Sequence, residues 1–214
     1  MATFVLIHGG GSSGWDWHLV AAELRRRGHE VVAPDLPIED RSAGLIDFTN
    51  AVLTALGDRV DPVVVGHSYG GITAPLVCSK VSARLLVFVA AMIPAPGEKP
   101  GDWWGNTGFV GPEGLSQAET YFGDVPEPLI AECLAHGRSQ VSAEGNEPWP
   151  LEALPDVPAK ALLCRDDRFF PPEFLRRVTR ERLGVEPDEI DGSHMVLLSR
   201  PKELVDRLES YLAG

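Results

Sequence analysis

Cysteine is scarce in this 214-residue chain: Cys78, Cys133 and Cys164 stand far apart and are odd in number. That usage excludes a disulfide framework and suits a reducing compartment. No group of cysteines and histidines has zinc-ligand spacing, so no metal is expected. Positive charge is also short, with 19 Lys and Arg against 31 Asp and Glu and a formal net charge of -12. Such a surface repels phosphate backbones and excludes a nucleic-acid partner. No apolar run reaches the roughly 18 residues of a membrane span. The opening MATFVLIHGG lacks the basic region and cleavage site of a signal peptide, so a cytoplasmic setting is expected. Repeats and low-complexity tracts are missing, and 44% hydrophobic with 23% charged residues is the composition of a folded domain. The length suits one core with a modest insertion.

What is present is an alternation. Short apolar runs rich in β-formers occupy Phe4–Ile7, Glu30–Ala33, Pro62–Val65, Leu85–Ala90, Ala159–Cys164 and, more weakly, Glu186–Ile190. Helical patterns fill Trp15–Arg27, Gly44–Gly57, Tyr69–Lys80, Pro172–Leu183 and Pro201–Leu212, with Pro172 and Pro201 near first-turn positions. Apolar strands alternating with helices predict a mostly parallel six-stranded sheet covered on both faces. Between Pro94 and Pro155 the periodicity breaks down, glycine and proline are dense, and only Glu127–Ala135 reads as helix. An irregular excursion of this length is commonly functional. Residues 1–93 and 156–214 are therefore taken as the core, and 94–155 as a short cap insertion over the substrate.

The sharpest motif is Gly66-His67-Ser68-Tyr69-Gly70-Gly71, directly after the run Val63-Val64-Val65 and at the head of a helical pattern. A Gly-x-Ser-x-Gly pattern means little alone. Between strand and helix it describes a tight elbow that lifts the serine hydroxyl above the sheet, with the helix N-terminus facing developing negative charge. A phosphate loop would need a Gly-Lys-Ser/Thr ending, which is absent. Ser68 is the candidate nucleophile. His8-Gly9-Gly10-Gly11 follows the first strand, where a side-chain-free loop lets a backbone N–H approach a substrate oxygen. The amides of Gly10 and Tyr69 are the expected oxyanion donors, with Gly9 as the alternative to Gly10; His8 is read as a brace for the loop.

A serine of this kind needs a base and an acid, in the chain order serine, acid, histidine. Among the histidines only His194, in Asp191-Gly192-Ser193-His194, follows both acid candidates. The acid should lie just past a late strand, where Cys164-Arg165-Asp166-Asp167-Arg168-Phe169-Phe170-Pro171 offers two adjacent aspartates. Hydrolases built this way commonly carry Gly-x-x-Asp-x-x-x-Pro here, and Pro171 sets the register on Asp167. Asp166 is then a neighbouring loop carboxylate, a cap or a partner of Arg165 or Arg168. Trp103, Trp104 and Trp149 of the insertion, with Met195 beside the histidine, are the candidate pocket residues.

The chain resembles the plant methylesterase and hydroxynitrile lyase family of the α/β hydrolases, together with its bacterial relatives. Besides the serine, acid and histidine motifs, the resemblance rests on Phe4–Gly9 with Gly14-Trp15-Asp16-Trp17 and on Gly28–Leu36. It spans the core from end to end but not the middle segment, which is shorter than the family's usual cap. It implies an α/β-hydrolase fold and ester cleavage through an acyl-enzyme, with no cofactor; the tryptophans of the middle segment point to a small substrate with an apolar or aromatic group. A homodimer is compatible with it. The lyase branch carries a lysine directly after its catalytic histidine and a hydroxyl residue in the first loop; Met195 and Gly9 stand there instead. Dehalogenases of this fold need a carboxylate where Ser68 stands. A lyase or cyclase, or a receptor-like binding protein with slow turnover, is the alternative.

Overall fold

The computed structural model describes residues 1–213. Six strands, β1 (Thr3–Ile7), β2 (Glu30–Val32), β3 (Val63–His67), β4 (Leu85–Val89), β5 (Ala159–Cys164) and β6 (Asp188–Ile190), form one sheet in the order β2-β1-β3-β4-β5-β6. All five pairings are parallel. Parallel neighbours need crossover connections, and those connections place helices on both faces.

Those helices are α1 (His18–Arg26), α2 (Leu45–Leu56), α3 (Gly70–Cys78), α4 (Trp103–Asn106), α5 (Gln117–Tyr121), α6 (Glu127–Ala135), α7 (Pro172–Leu183), α8 (Val196–Ser199) and α9 (Pro201–Ser210). Alternation along the strands sorts the core into two layers. Phe4 and Leu6 of β1 with Val63 and Val65 of β3 face a layer built with Val20 and Leu24 of α1, Val178 of α7 and Leu204 and Leu208 of α9. Val5, Ile7 and Val64 face Phe48 and Val52 of α2 and Ala74 and Val77 of α3 on the other side. Every residue of β3 and β4 is buried, which is why these central strands read as unbroken apolar runs.

The first helical pattern divides at Trp17, where a 3-10 turn over Gly14–Trp17 precedes α1. Residues 94–155 carry α4, α5, α6 and 3-10 turns at Pro100–Asp102 and Glu144–Asn146. Their attachments to the core are specific. Glu98 meets Arg182 of α7 at 2.5 Å, Trp103 donates its indole N–H to Ile93 O at 2.9 Å, and Trp149 donates to Ile72 O at 3.0 Å. Among the described residues no helix is long and apolar enough to cross a membrane.

Candidate active site

β3 ends at His67 and α3 begins at Gly70, so the chain reverses within two residues. Ser68 takes φ +52°, a left-handed conformation that non-glycine residues rarely adopt. Three backbone hydrogen bonds hold it there: Ser68 N–H to Val89 O at 3.2 Å, and Ser68 O accepting from Gly71 at 3.1 Å and Met92 at 3.0 Å. The two outer glycines of the motif have a steric reason. A Cβ on Gly66 would stand 2.8 Å from Gly70 O, and one on Gly70 would stand 2.6 Å from His8 O. Strand, helix and glycine loop cross too closely for any side chain at either position.

His194 lies between β6 and α8, and Asp167 lies just past β5. The structure brings both to the serine. His194 Nε2 is 3.0 Å from Ser68 Oγ, and His194 Nδ1 is 2.8 Å from Asp167 Oδ2. The other carboxylate oxygen, Oδ1, accepts from the backbone N–H of Phe169 at 2.9 Å and Phe170 at 2.8 Å. With Oδ1 committed to two donors, Oδ2 faces the imidazole. A carboxylate only accepts, so the ring proton sits on Nδ1 and the Nε2 lone pair faces the serine hydroxyl. Both side chains are buried.

The adjacent Asp166 is exposed and turned away. Its carboxylate accepts from Gly192 N–H at 3.3 Å, and its own N–H donates to Gly192 O at 3.0 Å, tying the acid loop to the histidine loop. Neither arginine expected beside Asp166 pairs with it. Arg165 instead meets Glu189 at 3.0 Å and Asp191 at 2.6 Å.

Two further histidines brace the site. His8 bonds Gly9 O through Nδ1 at 2.8 Å and accepts Leu36 N–H on Nε2 at 3.0 Å, joining the glycine loop to the segment after β2. His67 donates from Nε2 to the carbonyl of His194 at 2.9 Å and so fixes the backbone that carries that ring. Burial lowers their pKa values to about 4 for His8 and about 3 for His67, leaving both neutral. The glycine loop passes directly over the serine: a Cβ on Gly9 would touch Ser68 Cβ at 3.0 Å. The amides of Gly10 and Tyr69 donate to no protein acceptor among the described residues, so both remain available to a ligand oxygen.

These groups open into a cavity of about 560 Å³ walled by Trp104, Tyr121, Phe122, Phe169, Leu134 and Met195, among others. Two of the three tryptophans expected in the pocket do not reach it. Trp103 and Trp149 are fully buried, each with its indole N–H on a core carbonyl, and serve as anchors of the irregular segment. Tyr121 and Phe169 were not singled out from sequence, yet their rings stand edge-on to His194 at 5.6 and 5.1 Å. Phe169 had a local signal, two residues past Asp167. Tyr121 had none, because the irregular segment offers no motif.

The arrangement is a buried acid, an oriented imidazole and a strained serine beneath two free amides. Residues 4–207 match the alpha/beta hydrolase family. The chain belongs to that family. Among its relatives is "Putative methylesterase 19" of Arabidopsis thaliana, 26% identical, with 94% of each chain covered. "Probable esterase PIR7A" of Oryza sativa subsp. indica is 28% identical over 96% of this chain and 94% of its own. The crystal structure of polyneuridine aldehyde esterase superposes with a TM-score of 0.83 at 21% identity, covering 99% of each chain. That likeness shows the alpha/beta hydrolase fold over nearly all of this chain.

Proposed function

We propose that this protein is a carboxylic ester hydrolase working through an acyl-enzyme on Ser68. The observation that carries the proposal is the continuous relay Asp167–His194–Ser68, at 2.8 and 3.0 Å, opening into an aromatic-walled cavity. Full-length relatives carrying the names methylesterase and esterase support the same reaction.

His194 Nε2 takes the Ser68 proton as Oγ attacks the ester carbonyl, and Asp167 stabilises the resulting imidazolium. The Gly10 and Tyr69 amides receive the tetrahedral oxyanion, helped by the N-terminus of α3. His194 then protonates the leaving alcohol as the C–O bond breaks. In the second half a water gives its proton to His194 and attacks the acyl carbon; collapse returns the proton to Ser68 and frees the acid. No step calls for a cofactor. Residues 94–155 act as the cap, supplying Trp104, Tyr121 and Phe122 to the wall. Met195 completes an apolar surface, suiting a small ester with an apolar or aromatic part. The acidic surface argues against nucleic acid as a partner, and three buried free cysteines fit a cytoplasmic setting.

A panel of small esters and cyanohydrins tests this reading. Ester hydrolysis should be present and fall by a factor of order 10⁶ in Ser68→Ala. Cyanohydrins should not be cleaved, because Met195 offers no positive charge to a departing cyanide. Cyanide release that depends on Ser68, without ester hydrolysis, would replace the esterase reading by the lyase one.

A further inference from the structure

The oxyanion loop is held by residues far away in the chain. Gly11 donates its N–H to Gln140 Oε1 at 2.9 Å, and its carbonyl accepts from the Arg138 N–H at 2.9 Å. Gln140 lines the cavity, and its Oε1 lies 3.1 Å from where a Cβ on Gly10 would stand. The orientation of this amide is dictated from behind. Gln140 Nε2 donates to Glu144 Oε1 at 2.7 Å, which leaves the amide oxygen facing the Gly11 N–H, a group that can only donate. Glu144 is buried, and its second oxygen has no hydrogen-bond partner among the described residues. The Tyr69 phenol lies on this side too, 3.7 Å from where a Cβ on Gly145 would stand. Burial, with the Glu144 carboxylate nearby, raises the pKa of that phenol.

The segment carrying these groups does not hang loose. Val141 N–H bonds Ile38 O at 2.8 Å, Ala143 N–H bonds Ala43 O at 2.9 Å, and Glu147 Oε2 accepts from Leu45 N–H at 3.0 Å. Fixed at several points of the core, it can hold the glycine loop in one position before substrate arrives, which is what oxyanion stabilisation requires.

We propose that Gln140, oriented by Glu144, is the positioning residue of the oxyanion site. By taking the Gly11 N–H it draws that amide away from the substrate and holds the loop that carries Gly10, and the alternative donor Gly9, opposite Tyr69. This rests on the ester-hydrolase reading, because only a developing oxyanion makes the placement of Gly10 matter. A donor misplaced by a fraction of an ångström binds the ground state nearly as well but stabilises the transition state less.

The test is Gln140→Leu, with Glu144→Gln as a gentler second variant that keeps side-chain shape if the first does not fold. Two readouts are needed: steady-state ester kinetics, and inhibition by a trifluoromethyl ketone, whose serine adduct places an oxyanion in the site. In Gln140→Leu, kcat should fall by about 10- to 100-fold with KM little changed, and ketone affinity should weaken in parallel. Glu144→Gln should shift both readouts in the same direction by less. Phosphonate labelling of Ser68 should still go to completion in both variants. The proposal is overturned if kcat stays near wild type, or if KM alone rises while ketone affinity is kept. Failure of the underlying reading would look different: the wild-type protein itself would neither hydrolyse esters nor bind the ketone.

Discussion

Replacing Asp167 by Asn tests how firmly the surroundings of one carboxylate set the chemistry. The substitution keeps shape but exchanges one acceptor for an NH₂ donor, and the new amide must choose which end faces the imidazole. Two backbone N–H groups, from Phe169 and Phe170, already point at Oδ1. Turning the NH₂ toward them would leave two buried donors unsatisfied, at about 1–3 kcal/mol each. The amide oxygen therefore stays on the backbone and the NH₂ faces His194 Nδ1. Nδ1 must then accept, the ring proton moves to Nε2, and Nε2 can no longer take the Ser68 proton. The cost should be about 10⁴-fold in kcat, or about 5.4 kcal/mol of transition-state stabilisation, with little change in melting temperature. Ester turnover near neutral pH gives the rate, and the far-downfield NMR resonance of the Nδ1 proton, lost in the variant, gives the tautomer. Asp166→Asn is the control, since that carboxylate meets only Gly192 N–H and not the ring. Near-normal turnover in Asp167→Asn, with collapse in Asp166→Asn, would refute the reasoning.

Two other outcomes follow from burial. His8 and His67 have folded pKa values lowered by burial to about 4 and about 3, below the usual 6.5, so the unfolded chain binds their protons first. Their contribution to stability is whole above pH 6.5 and is lost as pH falls toward 4 and 3, with a slope of up to about 1.4 kcal/mol per pH unit for each group. Melting temperature should drop over that window and drop less steeply in His67→Gln; an equal slope in the variant would count against the assignment. Trp149→Ala should destabilise the fold by about 3–5 kcal/mol in chemical denaturation, because it empties a core site and removes the indole hydrogen bond to Ile72 O. Trp104→Ala, a change in the cavity wall, should instead alter KM and ester preference with a smaller loss of stability. The reverse pattern would move Trp149 back into the pocket.

Much of the frame was legible in the residues because central parallel strands are buried on both faces. Val63-Val64-Val65 and Ala159–Cys164 could be little else beside helical patterns. The expected ends drifted where proline intervened: β2 stops at Val32, before Pro34, and β6 begins at Asp188, after Pro187, which has no N–H for the ladder. The serine, acid and histidine positions were readable because each occupies a strand end in a fixed chain order. The wall of the cavity was not. Tryptophans in an irregular segment suggested ligand contact, yet Trp103 and Trp149 bury their rings and satisfy their N–H groups on the core. Gln140 and Glu144 carry no motif, since their effect on the glycine loop arises from a chain crossing over a hundred residues away in sequence.

The most direct measurement of the central claim is intact-mass and peptide-mapping analysis of the protein after a fluorophosphonate and, separately, after rapid quenching with an activated ester. The account predicts one phosphonyl adduct per chain on the Ser68 peptide, an acyl adduct on the same serine, and neither in Ser68→Ala. Ester turnover by a wild-type protein that carries no adduct on Ser68, or adducts that persist in Ser68→Ala, would contradict it.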